Sequence, residues 1–131
     1  MWWRAKKNVG DRGEDLAARY LRRKGYKVLY RGLRNPFGEI DLICRDGQTI
    51  VFVEVKTRRS DAAGQPFEAV DREKQRHLTR AALAFLKRKG WLQRRARFDV
   101  VSILWRDETD PPEIRHFINA FEPIGKGQMF C

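Results

Sequence analysis

Two stretches of the chain carry apolar residues at helical spacing, with intervals of three and four positions. The first is "DRGEDLAARYLRRKG", which predicts a helix that ends at Gly25. The second predicts a longer helix from about Asp71 to Lys89, ended by Gly90. In each helix the apolar positions form one face, and arginine and lysine occupy much of the rest. We therefore expect both helices to pack through one side only.

Five shorter stretches are rich in β-branched and aromatic residues, which predicts strands. The dipeptide Asp46-Gly47 is a hairpin signal and separates the second strand from the third. The strands are predicted in "YKVLYRGLR", over Glu39–Cys44, over Thr49–Thr57, in "ARFDVVSILW" and in "EIRHFINAF".

The predicted order of elements is α-β-β-β-α-β-β, which indicates an α/β fold with a mixed sheet flanked by helices. The longer helix can serve as a crossover between two parallel strands. A length of 131 residues suits one core, so we expect a single domain over residues 1–131. Within it we expect a basic N-terminal arm at 1–9, a mobile loop at 58–66 ("RRSDAAGQP") and a flexible tail at 122–131.

The chain has a net charge of +11, which favours a polyanionic partner, either nucleic acid or an anionic membrane surface. No apolar run approaches the length of a membrane-spanning helix, and "MWWRAKK" lacks the apolar centre of a signal peptide. The two cysteines, Cys44 and Cys131, form neither a metal-binding pattern nor a disulfide framework. We therefore expect a cytoplasmic protein that binds nucleic acid and no membrane.

Three charged residues interrupt the strands that are predicted to be buried, namely Asp41, Glu54 and Lys56. Burying an unpaired charge is unfavourable, so either pairing or function must account for these residues. A two-residue turn at Asp46-Gly47 would place Asp41 opposite Phe52, with Glu54 as its diagonal neighbour roughly 7 Å away at Cα. The three charged side chains and Phe52 would then share one face of the hairpin. The other face would supply the core through Val51, Val53 and Val55.

Carboxylate oxygens from Asp41 and Glu54 would select a hard cation, Mg²⁺ or Mn²⁺. Such a cation keeps several waters, polarises a phosphoryl oxygen and lowers the pKa of a water that attacks phosphorus. Lys56 can orient that water or neutralise the charge of the transition state. Glu14 lies at the border of the buried face of the first helix and can be a further ligand or an anchor for a metal-bound water.

Asp41 followed by Glu54-Val55-Lys56 resembles the D…ExK motif of the PD-(D/E)xK restriction-endonuclease-like nucleases. Four segments in order, "GEDLAARYLRRKGY", "GEIDLI", "FVEVKTR" and "RFDVVSI", are similar to those of the YraN-type family of bacterial endonuclease-like proteins. That family is similar in turn to the archaeal Holliday-junction resolvases. The resemblance spans about Gly10 to Phe121, and it departs from the nuclease pattern at Ile40, where proline is usual.

The resemblance implies a restriction-endonuclease-like sheet and a Mg²⁺- or Mn²⁺-dependent endonuclease acting on structured or branched DNA. It makes Asp41 and Glu54 metal ligands, with the carbonyl of Val55 as a third. It makes Lys56 the catalytic lysine and Glu14 an accessory acid. Resolvases that cut two strands symmetrically act as twofold dimers, so we expect a homodimer if the substrate is a junction.

Basic residues flank the predicted site at the end of the third strand and along the longer helix. Their sign is nearly uniform, which solubility does not require, although a solvated helix face is the alternative. In the arm, Trp2 and Trp3 can stack on bases or pack against the domain. The residues expected to bind nucleic acid are Arg58, Arg59, Lys74, Arg76 and Arg80.

The candidate site residues also have structural interpretations. Glu54 and Lys56 can form a plain ion pair on an edge strand. Glu14 can be a first-turn acid that complements the helix dipole. Glu39 can be a fourth ligand, but we expect a solvent-exposed carboxylate at the edge of the hairpin.

Three other polar residues need an account in the predicted fold. Asp99 lies within a buried strand, and we expect an arginine from a helix or loop as its partner. We expect His77 and His116 to be exposed or hydrogen-bonded and not to act as bases, because no nucleophile accompanies them. Cys44 is expected in the core.

The sequence thus predicts a nuclease that hydrolyses phosphodiester bonds of DNA. One alternative is a nucleic-acid-binding module that keeps the fold without cleaving, and a weaker one is a basic protein that binds an acidic partner protein. Asp41, Glu54 and Lys56 favour the nuclease, because a binding module does not need all three.

Overall fold

A computed structural model describes residues 3–4, 9–59, 70–106 and 111–124, with side chains from Arg12 onward. The predicted order of elements is confirmed, and a two-residue strand is added within the N-terminal arm. The elements are β1 (Trp3–Arg4), α1 (Val9–Arg23), β2 (Lys27–Asn35), β3 (Gly38–Asp46), β4 (Thr49–Arg58), α2 (Arg72–Lys89), β5 (Ala96–Leu104) and β6 (Glu113–Phe121).

The strands form one mixed sheet in which spatial order follows chain order, from β1 to β6. Every neighbouring pair is antiparallel except β4 and β5, which run parallel. Parallel neighbours cannot be joined by a tight turn, and α2 lies in the chain between them, as the crossover prediction requires. The helix that follows the ExK segment is therefore held against the same sheet.

The two helices pack on opposite faces of the sheet, because each has one apolar face and the strands are apolar on both. On the α2 face, the ring of Phe52 meets that of Phe85 edge-on at 5.9 Å between centroids. The α1 face contains the predicted core valines Val51 and Val53, with Val55 packed against them. The helix residues buried in these two cores are Ala17, Ala18 and Leu21 from α1, and Leu78, Ala81, Ala82, Phe85 and Leu86 from α2.

The ends of α2 follow from its flanking residues. The side chain of Asp71 accepts a hydrogen bond from the backbone N–H of Lys74 at 2.8 Å, which caps the first turn. At the other end Gly90 adopts the left-handed conformation with φ of 74°, and its N–H donates to the carbonyls of Leu86 and Lys87. The predicted limits of this helix are confirmed.

The register predicted for the β3–β4 hairpin was wrong by two residues. Arg45 pairs with Ile50, not with Gln48, and Asp46 pairs with Thr49. The two central residues of the turn are therefore Gly47 and Gln48. Gly47 has φ of 59°. Gln48 has negative φ, because Asn119 is the one non-glycine residue with positive φ in the described part of the chain. A positive φ at the first central position alone is the requirement of a type II′ turn, whereas the prediction assumed a glycine second.

A shift of two residues leaves each side chain on its predicted face, because side chains alternate with a period of two. The ladder pairs Leu42 with Val53, so its continuation brings Asp41 opposite Glu54. The two carboxylates are thus directly opposed across the hairpin, not diagonal as predicted.

Several predictions fall on residues outside the described ranges. These are the conformation of residues 60–66 in the loop and of 125–131 in the tail, and the surroundings of Trp2 and Cys131. Cys44 is buried with a free thiol, and burial raises its pKa to about 12. No helix among the described residues combines the length and apolar character that crossing a membrane requires.

Candidate active site

The side chain of Asp41 links β3 to β4 by a hydrogen bond, beyond the last backbone pair of the two strands. Its Oδ2 accepts a hydrogen bond from the backbone N–H of Val55 at 2.8 Å. The last backbone pair before this point is Leu42 with Val53. The strands are therefore held together here by a carboxylate, which fixes Asp41 beside Glu54. The role of the Val55 carbonyl as a metal ligand stays a prediction.

Asp41 and Glu54 meet carboxyl to carboxyl, and their pKa values move in opposite directions. Burial, followed by the charge of Glu54 and a hydrogen bond to it, raises the pKa of Asp41 well above its ordinary value. Burial also acts to raise the pKa of Glu54, but the hydrogen bond with Asp41 and the charges of Lys74 and Lys56 lower it overall. Burial and the charge of Glu54 thus favour the protonated form of Asp41, whereas the two lysines favour the ionised form of Glu54.

A second group of carboxylates reaches Asp41 from the other side. One oxygen from each of Glu14, Glu39 and Asp41 lies within 4.8 Å of the others. Glu14 is buried on α1, and Glu39 also accepts a hydrogen bond from Arg34 Nε at 3.1 Å. Asp41 is therefore shared between this group and Glu54. Glu39, which we expected to face solvent, belongs to the cluster, so the interpretation as a further ligand gains support from the geometry.

Gly13 lets α1 approach the sheet closely enough to bring Glu14 into this cluster. A Cβ at position 13 would collide with the hydroxyl oxygen of Thr57 on β4. Glycine leaves room for the hydroxyl where it stands, so α1 packs closely on β4 at this residue. The neighbouring Glu14 is thereby held against the start of β3.

Two lysines neutralise Glu54, and the nearer one was not predicted for this role. Lys74 Nζ of α2 lies 2.9 Å from Glu54 Oε2, and Lys56 Nζ lies 3.8 Å from the same atom. Burial acts to lower the pKa of Lys74, but the attraction of Glu54 raises it overall. The angles at Lys74 are poor for a hydrogen bond, so Oε2 is a buried acceptor without a well-directed donor. Nothing local in the sequence indicates that Lys74 reaches Glu54, because the contact spans the segment between β4 and α2.

The donor atoms fit a hard divalent cation. All the candidate ligands are oxygens, the set that Mg²⁺ and Mn²⁺ prefer over zinc. Neighbouring ligand oxygens of Mg²⁺ lie about 3 Å apart, so the cluster needs only a small contraction to enclose an ion. The buried Oε2 of Glu54, which lacks a well-directed donor, is the kind of atom that a cation would satisfy.

The other basic residues assigned to nucleic acid lie at the end of β4 and on α2. Arg59 follows β4 and is exposed, and Arg58 at the end of that strand is partly buried. Arg76 and Arg80 are exposed on α2. Lys74 is also half-exposed, but its ammonium contacts the site itself, so its predicted role is incomplete.

Asp99 belongs to a separate network on β5 and β6, and the predicted source of its partner was wrong. The arginine that binds it is Arg97 on the same strand, with Nε 2.9 Å from Oδ1. His116 Nε2 lies 2.7 Å from Oδ2, and the backbone N–H of Asn119 donates to Oδ1 at 2.9 Å. Lys24 donates to His116 Nδ1 at 2.8 Å, so Nε2 carries the proton that is donated to Asp99. His116 is a hydrogen-bonded structural residue, as expected.

Residues 13–103 match the family described as "Uncharacterised protein family UPF0102". The chain belongs to the UPF0102 family. A UPF0102 protein of Geobacter sulfurreducens is 53% identical over 116 residues, which are 88% of this chain and 90% of the relative. A UPF0102 protein of Syntrophomonas wolfei is 49% identical over 115 residues, or 88% of this chain and 98% of the relative. A UPF0102 protein of Rhodopirellula baltica is 47% identical over 125 residues, or 93% and 75% respectively. The expected YraN-type family is confirmed, and the UPF0102 match includes Glu14, Asp41, Glu54 and Lys56.

Proposed function

We propose that this UPF0102 protein is a metal-dependent nuclease that hydrolyses phosphodiester bonds of structured or branched DNA. The observation that carries the proposal is the position of Asp41, which contacts Glu54 and lies in a carboxylate cluster with Glu14 and Glu39. Ionisable groups gathered at the end of a strand pair, with pKa values moved apart, are typical of catalytic sites. A purely structural account would have to explain four carboxylates there.

Asp41 and Glu54 would hold the cation, with the carbonyl of Val55 and with Glu14 or Glu39 completing the set. The cation would polarise a phosphoryl oxygen and lower the pKa of an attacking water. Lys56 lies beside Glu54 and is partly exposed, so its ammonium can orient the water or neutralise negative charge on the phosphoryl group. A carboxylate binds metal in its ionised form, so the raised pKa of Asp41 makes metal binding dependent on pH.

The charge of the protein supports DNA as the substrate. A net charge of +11 on 131 residues attracts a polyanion, and Arg59, Arg76 and Arg80 are exposed to such a partner. The restriction-endonuclease-like superfamily, expected from the D…ExK motif, agrees with a mixed sheet in which the ExK strand β4 has a parallel neighbour. Fold likeness alone does not establish activity, so the site carries the argument.

A homodimer follows if the substrate is a four-way junction. Symmetric cutting of two strands needs two sites related by a twofold axis, and each chain supplies one set of carboxylates. Sedimentation of the protein alone and with a junction tests this. A monomer in both cases would leave nicking or flap cleavage as the activity.

The test of the proposed function is a cleavage screen over single-stranded, duplex, flap and four-way-junction DNA with Mg²⁺ and with Mn²⁺. We expect cleavage of at least one branched substrate by the wild type and none by Asp41→Asn. Asp46→Asn is the matched control, because it removes a carboxylate from the same strand away from the cluster. Equal activity in wild type and Asp41→Asn would assign the cleavage to a contaminant.

One observation favours the non-cleaving nucleic-acid-binding module instead. Lys74 and Lys56 already neutralise Glu54, so this carboxylate has counter-charges within the protein. If the module is correct, DNA binds with and without divalent cations and no substrate in the screen is cut. DNA binding that Mn²⁺ does not affect, together with no cleavage of any substrate, would favour the non-cleaving module.

A further inference from the structure

We propose that Lys74 couples metal binding to nucleic-acid binding, because its ammonium holds Glu54 until a phosphate of the bound strand attracts it away. This inference rests on the proposed function, since it assumes a cation at Asp41 and Glu54 and a phosphodiester beside them. It adds a role in regulation for a residue of α2 that lies outside the D…ExK motif.

The ion pair between Lys74 and Glu54 is asymmetric in its exposure to solvent. The side chain of Glu54 is 5% exposed, whereas that of Lys74 is 46% exposed. The backbone of Lys74 is fixed by the N-cap of Asp71, so the freedom of the residue lies in its long side chain. The ammonium can therefore swing between the buried carboxylate and the surface, while the carboxylate stays in place.

The ammonium and a divalent cation would compete for the same atom. Lys74 Nζ lies 2.9 Å from Glu54 Oε2, the buried oxygen whose approach angles are poor for a hydrogen bond. A contact held by charge and not by a directed bond is readily exchanged for another anion. Lys56, at 3.8 Å from the same oxygen, makes the longer contact and is less exposed, at 24% of its side chain.

A phosphodiester is the anion that the proposed function would bring beside Lys74. Arg72 and Arg76 add positive charge to the exposed start of α2, on the side of the helix away from Lys74. A phosphate bound at the exposed side of Lys74 would draw the ammonium outward and leave Glu54 to the cation. By thermodynamic reciprocity, metal would then strengthen DNA binding by the same factor by which DNA strengthens metal binding.

The first measurement is calorimetric titration of the full chain with Mn²⁺ in the absence of DNA. We expect Lys74→Gln to bind Mn²⁺ about tenfold more tightly than the wild type, because a charged competitor for Glu54 has been removed. Lys74→Arg keeps the charge and should bind as the wild type does. Arg88→Gln removes an equal charge from the same helix, and its Mn²⁺ affinity should change by less than about twofold, since the residue is exposed in the last turn of α2.

The second measurement is the coupling between metal and DNA. A four-way-junction oligonucleotide is titrated with and without Ca²⁺, which replaces Mn²⁺ in order to slow cleavage. The coupling is the dissociation constant for DNA without Ca²⁺ divided by that with Ca²⁺. It should be about tenfold smaller in Lys74→Gln than in the wild type, because the variant no longer releases a competitor when DNA binds. Thermal melts check folding, and Lys74→Met serves as a second uncharged variant that keeps the apolar stem.

The outcomes separate this inference from the proposed function. Mn²⁺ binding by wild type with no change in affinity or coupling in Lys74→Gln and Lys74→Met overturns the role of Lys74 and leaves the nuclease proposal intact. A change of the same size in the Mn²⁺ affinity of Arg88→Gln also overturns it, because the effect would then be one of net charge alone. No Mn²⁺ binding by wild type removes the metal centre, and this inference fails with it.

Discussion

Asp41 and Val55 are joined by a hydrogen bond from a backbone N–H to a carboxylate oxygen, 2.8 Å from N to Oδ2. The Val55 N–H would otherwise donate to a backbone carbonyl of β3. The Asp41 carboxylate takes the place of that carbonyl, so Asp41 is fixed by the sheet and not by a loop. The same bond favours the ionised form of Asp41, yet burial and Glu54 outweigh it and raise the pKa. The strands thus fix the position of the Asp41 carboxylate, whereas its ionisation can change when a cation binds.

The packing of α1 gives the first prediction. Alanine in place of glycine usually stabilises a helix interior by about 0.5–1 kcal/mol. At Gly13 we expect the opposite sign, a loss of about 1–3 kcal/mol of unfolding free energy, because the new Cβ meets the Thr57 hydroxyl. Mn²⁺ affinity should fall as well, since Glu14 moves with the helix. Chemical denaturation and Mn²⁺ titration measure the two effects.

Thr57→Ala supplies the control for this change, because it removes the oxygen that a Cβ at position 13 would meet. The double variant Gly13→Ala/Thr57→Ala should recover most of the lost stability and metal affinity. Strictly additive losses in the double variant would show that the contact between α1 and β4 is not the cause.

Lys56 should separate catalysis from metal binding. Its Nζ lies 3.8 Å from Glu54 and acts, in the proposed mechanism, on water or phosphate and not on the cation. Lys56→Ala should therefore bind Mn²⁺ at least as tightly as the wild type and lose cleavage by about 10²-fold or more. Single-turnover cleavage at saturating Mn²⁺ tests this. A variant that cleaves normally would exclude the lysine from the chemistry.

The basic face of α2 should determine how DNA binding depends on salt. Each phosphate contact contributes a slope of about −0.9 to log K against log salt concentration. Arg80→Ala should make the slope shallower by about one contact. Arg88→Ala, in the last turn of α2 and about 12 Å further along the axis, should leave it unchanged. A wild-type slope near zero would remove nucleic acid as the partner.

Much of the fold follows from local patterns, and the parts that do not are those fixed by distant contacts. Gly25 and Gly90 end their helices as predicted, because a left-handed residue after a helix is a local preference. The hairpin register depended on which position of the turn Gly47 would occupy, which the dipeptide Asp46-Gly47 leaves open. The face shared by Asp41 and Glu54 could still be predicted, since an error of two residues preserves it.

The predicted site was incomplete for a similar reason. Glu39 was expected in solvent because it lies near a strand end, and the structure brings it to Glu14 through the packing of α1 on the sheet. Lys74 was assigned to the surface because its helical face is basic, and its contact with Glu54 depends on how the crossover places α2. Contacts between elements far apart in the chain are not encoded in the spacing of motifs.

Asp99 gives a prediction for stability against pH. Burial acts to raise its pKa, but hydrogen bonds from His116, Arg97 and Asn119 lower it below the ordinary value of 3.8. A group whose pKa is lower in the folded state stabilises the fold fully at pH values above its pKa in the unfolded state. That stabilisation is lost as pH falls through its pKa in the folded state. Asp99→Asn should cost about 3–5 kcal/mol at neutral pH, because Asp99 is fully buried.

The difference in unfolding free energy between wild type and Asp99→Asn should therefore shrink as pH falls below about 4. Urea denaturation over a pH series measures it. Glu113→Gln is the comparison, because the pKa of Glu113 is also lowered, by Arg106 and Arg115, but on an exposed surface. A difference for Asp99→Asn that stays constant down to acid pH would show that the charge of Asp99 is not what stabilises the network.

The central claim is that Asp41 and Glu54 lie together in order to bind a cation, and calorimetric titration with Mn²⁺ of wild type and Asp41→Asn, with thermal melts of both, tests it most directly. Asparagine keeps the shape and an oxygen for the Val55 N–H, so the variant should melt at or slightly above the wild-type temperature. We expect the wild type to bind Mn²⁺ and to release protons as Asp41 ionises, and Asp41→Asn to bind none. Wild type that binds no Mn²⁺, with an Asp41→Asn protein that melts far below it, would show that the carboxylates serve the fold alone.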